Sequence, residues 1–309
     1  ALFDELVVNS RRRTVAVLPF YHASGFWAFL YCLLEGCHTI IMKSFHPISI
    51  FLRGFQIDTL NVVPSILSFL CRVDVDGFDV SSLSTVLSGS SPLGKELISS
   101  FLTKFPGVRN LIQVILPPLG IVDERRLGSC GKLLPGFEAI LRDENGRLIN
   151  DPNCSGELYI KSPTVMRGYL NSENDQEPFD QDGWFRTGDI LYYDDDGFFY
   201  VVDRVKDLIK VNGVQVAPSE IEDSILTLSY VTEVGVIGID DPEHGQVPKA
   251  FIVLQEGEDE EHAKKNILEL VKAKFSPVKQ LRGGIEVRME LPKTSSGKVK
   301  RYALRQLYK

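Results

Sequence analysis

Four short segments carry side chains able to handle phosphate, ribose or a carboxylate. The first is PKTSSGKVKR, Pro292 to Arg301, in which Lys298 closes a Ser/Gly stretch ahead of a helical run. An ammonium on a flexible stem in such a loop can be delivered to a phosphate or carboxylate oxygen. A solvated basic loop has the same composition, and the GxxxxGK[ST] spacing of a Walker phosphate loop is not present. The second is GWFRTGDI, Gly183 to Ile190, where Asp189 follows a glycine at the entry to a strand. A carboxylate so placed can accept two hydroxyl hydrogen bonds from a ribose, and an ordinary turn aspartate fits the segment equally well. The third, Val201 to Glu222, sets Arg204, Lys206 and Lys210 on a connector, where they either pair with phosphate or are simply solvated. In the fourth, LPFYHASGF, His22 leaves an apolar strand at a turn, as a packed histidine or as one beside a substrate.

The elements that must position these groups change in kind along the chain. Residues 13–125 alternate short apolar strands with helical segments: TVAVLPF (14–20), CHTIIM (37–42), DTLNVVP and TVLSGSS (85–91) as strands. Helices are expected over Ser24 to Leu34, HPISIFLRGFQ, SILSFLCRV and a stretch opened by Pro92, whose fixed φ suits a first turn. Such alternation predicts a parallel sheet covered on both faces. From about Gly128, strands joined by Gly/Asn/Asp turns (DENGR, then DDDG at 194–197) predict a small antiparallel unit. After Arg204 an α+β pattern follows, with Ser219 expected to cap the helix begun by PSEIE. The expected class is α/β, in two domains. A truncated large domain covers residues 1–204, with its α/β sheet over 1–127 and its β unit over 128–204. A smaller α+β domain covers 205–309.

Composition narrows the function classes. The 309 residues are 44% hydrophobic and 24% charged, the balance of a globular protein with a sizeable core. The net charge is -7, and no Lys/Arg block interleaves with aromatics, so a nucleic-acid groove is not expected. The longest apolar run, Phe26 to Leu34, is too short for a transmembrane span and reads as a buried helix. Five cysteines with no CxxC pair (Cys32, Cys37, Cys71, Cys130, Cys154) predict buried thiols in a reducing compartment rather than disulfides or zinc. The start at Ala1, leading through Arg11, Arg12 and Arg13 into a strand, predicts a chain entered mid-domain.

Together and in this order, the four segments resemble the acyl-adenylate-forming superfamily of acyl- and aryl-CoA ligases, 4-coumarate–CoA ligases, beetle luciferases and peptide-synthetase adenylation domains. LSGSSPLG (87–94), SGELYIKSPTVMRGYLN (155–171) and QLRGGIEVRMELPKTSSGK extend the resemblance over essentially the whole chain. It implies an ATP-dependent acid–thiol ligase that makes an acyl-AMP and passes the acyl group to CoA, using ATP, Mg²⁺ and CoA. By the same resemblance, Lys298 bridges the substrate carboxylate and α-phosphate, and His22 stands beside the acyl pocket. Asp189 holds ribose, and Arg204 contacts ribose or phosphate. Gly89, Ser90, Ser91 and Pro92 wall the adenine. Lys206 is the hinge whose rotation exchanges Lys298 for a thioester-forming face of Lys210, Gly213 and Gln215.

Two departures qualify this. The family's phosphate loop is expected upstream of residue 1, and its aromatic-Gly-x-Thr-Glu segment, source of a Mg²⁺ ligand, is not found where NLIQ (110–113) runs into VILPPLGIVDERRLGSCG. Asp123 or Glu124 stand there as substitute ligands, but Pro117-Pro118 redirects the path and no metal site is assigned. Impaired turnover is therefore expected. The alternative is a non-catalytic nucleotide- or acyl-binding relative that has lost adenylation. The apolar or small residues near Phe26, Leu87–Ser91 and Leu111–Ile115 favour a medium hydrophobic or aromatic acid. The expected location is cytoplasmic or peroxisomal, although the chain ends Leu307-Tyr308-Lys309 rather than Ser-Lys-Leu.

Overall fold

The computed structural model describes residues 10–42, 56–89, 93–114, 128–169, 178–294 and 297–308. Strands β1 (Arg13–Ala16), β2 (His38–Ile41), β3 (Thr59–Val62), β4 (Thr85–Gly89) and β5 (Asn110–Val114) form a parallel sheet in the order β2-β1-β3-β4-β5. Period-two alternation decides which helix each side chain meets. Val86 of β4 joins Leu60, Leu67, Leu70, Phe101 and Phe105 beneath α2 (Pro64–Arg72) and α3 (Lys95–Lys104). Its neighbour Leu87 faces the other way and packs on Cys32 of α1 (Ala23–Leu34). The expected two-sided parallel sheet is what the chain builds.

Local expectations need correction here. TVAVLPF is strand only through Ala16. The helix after β4 starts at Lys95 and is capped by Gly94, while Pro92 lies outside the described residues. Helix HPISIFLRGFQ lies there too, apart from Gln56. Helix α1 is not buried: Cys32 is 2% exposed, but Leu33 and Leu34 are 65% and 73% exposed. An apolar stripe all round a helix can bury only the side that meets the sheet, and nothing among the described residues covers the rest.

The second sheet runs β6-β11-β10-β9-β7-β8. Its strands are β6 (Ser129–Gly131), β7 (Glu138–Arg142), β8 (Leu148–Ile149), β9 (Gly156–Lys161), β10 (Phe185–Tyr193) and β11 (Phe199–Arg204). Three Asp-x-x-Gly turns order it. In the turns headed by Asp143, Asp180 and Asp194, an aspartate oxygen accepts backbone amides two and four residues on. Gly146, Gly183 and Gly197 take the positive φ that closes them. Only the first and last of these are expected from the turn composition above.

From β11 the chain passes through a short 3₁₀ turn, Val205–Asp207, into a third sheet ordered β13-β12-β15-β14, with β16 on β15. Its members are β12 (Ile209–Val211), β13 (Val214–Val216), β14 (Val231–Asp241), β15 (Gly245–Leu254) and β16 (Ile285–Val287). Helices α4 (Pro218–Ile225) and α5 (Glu260–Lys274) cover one face through Ile221, Ile225, Ile267 and Val271. Helix α6 (Arg301–Tyr308) covers the other through Leu304, against Ile237, Phe251 and Leu291. Ser219 does not cap α4. Ala217 does, because Pro218 takes the first helical position, and the Ser219 hydroxyl donates instead to the Val202 carbonyl at 2.8 Å.

All five cysteines are free. Burial pushes the Cys37 and Cys130 thiols up to about 12 and that of Cys71 to about 11, which leaves them inert at neutral pH. Cys154, expected to be buried, is exposed, since it sits in the polar approach to β9.

Candidate active site

Asp189 lies within β10, not on a turn ahead of it. The register against β9 shifts between Arg186 and Ile190, and Gly188 in that irregularity has φ +72°, a left-handed conformation that favours glycine. Thr187 holds the bulge: its hydroxyl donates to the Leu158 carbonyl at 2.8 Å and accepts the Asp189 amide at 3.1 Å. The kink thus aims Asp189 across the sheet at Arg204, its register partner on β11. Arg204 Nε donates to Asp189 Oδ1 at 3.1 Å, with the arginine side chain 58% and the carboxylate 32% exposed. The pair therefore still opens to solvent or to a ligand.

Lys298 is the third member. Its loop is a miniature hairpin with Lys293 opposite Val299. The Thr294 amide donates to the Lys298 carbonyl at 2.8 Å, the Lys298 amide to Thr294 Oγ1 at 3.1 Å, and Gly297 turns at φ +83°. A side chain at Gly297 would stand 3.1 Å from Ser65 Oγ, so the loop lies against the start of α2. Burial raises the Asp189 carboxyl above its ordinary range, while the charges of Arg204 and Lys298 oppose that rise. Burial lowers Lys298, the like charge of Arg204 lowers it further, and Asp189 works against both. Two cations and one carboxylate, from two neighbouring strands and a loop far along the chain, thus share one half-buried spot, a setting able to take a phosphate with its ribose.

The other expected residues fall in three places. Gly89 ends β4, and His22 is the N-cap residue of α1, just beyond β1. Both lie at the carboxyl edge of the parallel sheet, whose order reverses at β1/β3 as ligand-binding open sheets do. Ser90, Ser91 and Pro92 lie outside the described residues, as do Asp123 and Glu124. Lys206 is exposed in the 3₁₀ turn. Lys210 and Gln215 face each other across the β12–β13 hairpin, closed by Asn212 and Gly213 at φ +50° and +79°. Lys210 pairs with Glu144, on the β7–β8 turn, at 3.1 Å. Among the described residues, no group of three or more His, Cys, Asp or Glu side chains is arranged to hold a metal. Thr187 is a functional residue the motif reading overlooks, although a Thr two places before the aspartate is the signal for a bulge brace.

Comparison with known proteins places this fold in a family. Residues 2–170 match the family model described as AMP-binding enzyme, and residues 220–298 match that of the AMP-binding enzyme C-terminal domain. The chain belongs to the AMP-binding enzyme family. It is 34% identical over 317 residues to a luciferin 4-monooxygenase of Photuris pensylvanica, covering 97% of this chain and 57% of that protein. It is 36% identical to the peroxisomal OPC-8:0-CoA ligase 1 of Arabidopsis thaliana, covering 95% and 56%. The anthranilate CoA ligase AuaEII, solved with anthranoyl-AMP, superposes with a TM-score of 0.87 at 25% identity, covering 100% of this chain and 62% of that one. The chain thus spans little more than half the length of the curated relatives it matches. No helix of the described residues is long and apolar enough to cross a membrane.

Proposed function

We propose that the protein is an acid–thiol ligase of the acyl-CoA synthetase kind, with AMP-forming chemistry centred on Lys298, Asp189 and Arg204. The observation that carries this reading is the convergence of those three groups on one half-buried spot, with the Lys298 loop lying against the start of α2. In the first half-reaction a carboxylate oxygen attacks the α-phosphorus of ATP and pyrophosphate leaves. Two anions must approach, so the Lys298 ammonium, held between them, offsets their repulsion. Asp189 accepts the ribose hydroxyls, and Arg204 both restrains Asp189 and faces the phosphate. His22, at the start of α1, sits beside the acyl group, and the segment from Gly89 through Pro92 walls the adenine. In the second half-reaction a thiol attacks the acyl carbon and AMP leaves. Rotation about Lys206 then brings up Lys210, Gly213 and Gln215 as the thioester face, with CoA as the thiol. The boundary between the two moving bodies falls at residues 204–205.

Mg²⁺ would normally shield the phosphates. The stretch between Gln113 and Gly128 contains no Thr-Glu pair to help hold it, so we take adenylation by this chain to be impaired. The acyl substrate is a medium hydrophobic or aromatic acid, and the location cytoplasmic or peroxisomal.

Two assays separate the steps. Pyrophosphate–ATP exchange with a panel of carboxylic acids is expected near background, and robust exchange overturns the impairment. Given a chemically made acyl-adenylate and CoA, the chain is expected to release AMP and form thioester. A chain that binds the adenylate but forms no thioester is a nucleotide- or acyl-binding relative instead.

A further inference from the structure

The position of Lys298 depends on how its loop is anchored, and that loop runs directly into Arg301. This arginine opens α6, is 18% exposed, and meets carboxylates from three elements. Its Nε and Nη2 fork onto Glu222 of α4 at 3.1 and 2.6 Å. Its Nη1 lies 3.2 Å from Asp207 and 3.5 Å from Asp203. Asp207 closes the 3₁₀ turn after Lys206, whereas Asp203 belongs to β11 before it. One guanidinium therefore touches both sides of Lys206. Asp203 is only 4% exposed, and its two oxygens also accept the amides of Arg204 at 2.8 Å and Ser219 at 3.0 Å. Arg305, one helical turn on, makes a second contact to Asp207 at 3.6 Å. A planar guanidinium can fork onto one carboxylate and still offer its remaining N–H groups to others, a fixed geometry that an ammonium does not have.

We propose that Arg301 is a positioning residue that clamps the chain on both sides of Lys206, with Asp203 as its cross-hinge partner, and so holds Lys298 against Asp189 and Arg204. The role of Lys298 and the rotation about Lys206 rest on the adenylating reading, whereas the contacts of Arg301 across Lys206 do not. The distances dictate what rotation about Lys206 must do. Glu222 and Asp207 follow Lys206 in the chain and move with Arg301, so those contacts persist. Asp203 stays with β11, so it loses Arg301 and Ser219 together and is left a buried carboxylate short of partners. That penalty biases the molecule toward the arrangement seen, and a ligand that favours the other arrangement must overcome it.

The test is native-state proteolysis of the full 309-residue chain, comparing wild type with Asp203→Asn, Arg301→Lys and the double variant. Trypsin cleavage after Arg204, Lys206 and Lys210 is followed by mass spectrometry, with circular dichroism to check folding. Asp203→Asn preserves shape and leaves Arg301 its pairs with Glu222 and Asp207, so the helix stays docked. Each single variant is expected to speed cleavage in this segment about tenfold, with the double no faster than the faster single because the Arg301–Asp203 contact they share can be lost only once. Wild-type rates in both singles, additive effects in the double, or cleavage accelerated throughout the chain would each overturn the clamp. Titration calorimetry with AMP reports on the adenylating reading separately. A wild-type chain that does not bind AMP sinks that reading and leaves the proteolysis result standing.

Discussion

At the scale of single residues, the site depends on how one strand is kinked. Asp189 points at Arg204 because Gly188 takes a left-handed backbone and Thr187 braces the resulting bulge. No neighbour lies within 4 Å of a side chain built at Gly188, so the cost of adding one is conformational rather than steric. Gly188→Ala is therefore expected to lower stability by about 1–2 kcal/mol, measured by urea unfolding, and to weaken AMP binding at the same time. Unchanged AMP affinity in the folded variant would separate Asp189 from nucleotide binding. The sequence makes Asp189, Arg204 and Lys298 legible as candidates because each sits in a motif of distinctive residue types. It cannot make their meeting legible, since Asp189 and Lys298 are more than a hundred residues apart and are joined only by the packing of separate sheets.

Between elements, the contact of α3 with α4 has an electrostatic character that the sequence conceals. Asp223 of α4 lies over Gly94, where a built side chain would come within 2.5 Å of its Oδ2. Burial, and then the like charges of Glu222, Glu96 and Asp203, push its carboxyl up to about 7, with Lys274 opposing. The sign follows from linkage. A carboxyl whose pKa is higher folded than unfolded stabilises the fold while protonated, and that contribution is lost as pH rises from its unfolded value of 3.8 through about 7. Asp223→Asn removes the titration. Its melting temperature relative to wild type is expected to be distinctly higher at about pH 8 than at about pH 5. A difference independent of pH would place the charge elsewhere. Element types are readable from hydrophobic period and turn residues, whereas boundaries are not. Ser219 has the chemistry of a cap, yet Pro218 claims the first turn ahead of it. DQDGW shows its turn only in three dimensions, where Asp180 and Gly183 close it.

For the molecule as a whole, the third sheet and its helices meet the rest through a small set of contacts, several of them charged and exposed. Lys274 of α5 reaches Glu96 of α3 at 2.8 Å, with both side chains more than 40% exposed. Lys210 reaches Glu144 at 3.1 Å, with exposures of 63% and 54%. Pairs of this kind contribute at most about 1 kcal/mol each and are screened by salt, whereas the apolar cores on either side are not. Such pairs also explain why the arrangement is not legible in the sequence, since surface charges 66 and 178 residues apart carry no pattern that names their partners. Raising ionic strength from about 0.05 to about 0.5 M shortens the screening length from well over 10 Å to a few Å, so these pairs lose most of their attraction. The buried Arg301 contacts are screened far less and keep the two bodies tethered. The radius of gyration from small-angle X-ray scattering is therefore expected to rise with salt while circular dichroism stays constant. Glu144→Lys, which turns attraction to Lys210 into repulsion, should produce some of that rise at low salt. A radius that ignores both salt and the charge reversal would mean that apolar packing and the buried Arg301 contacts fix the arrangement, and that Lys210 is not held at Glu144 by charge.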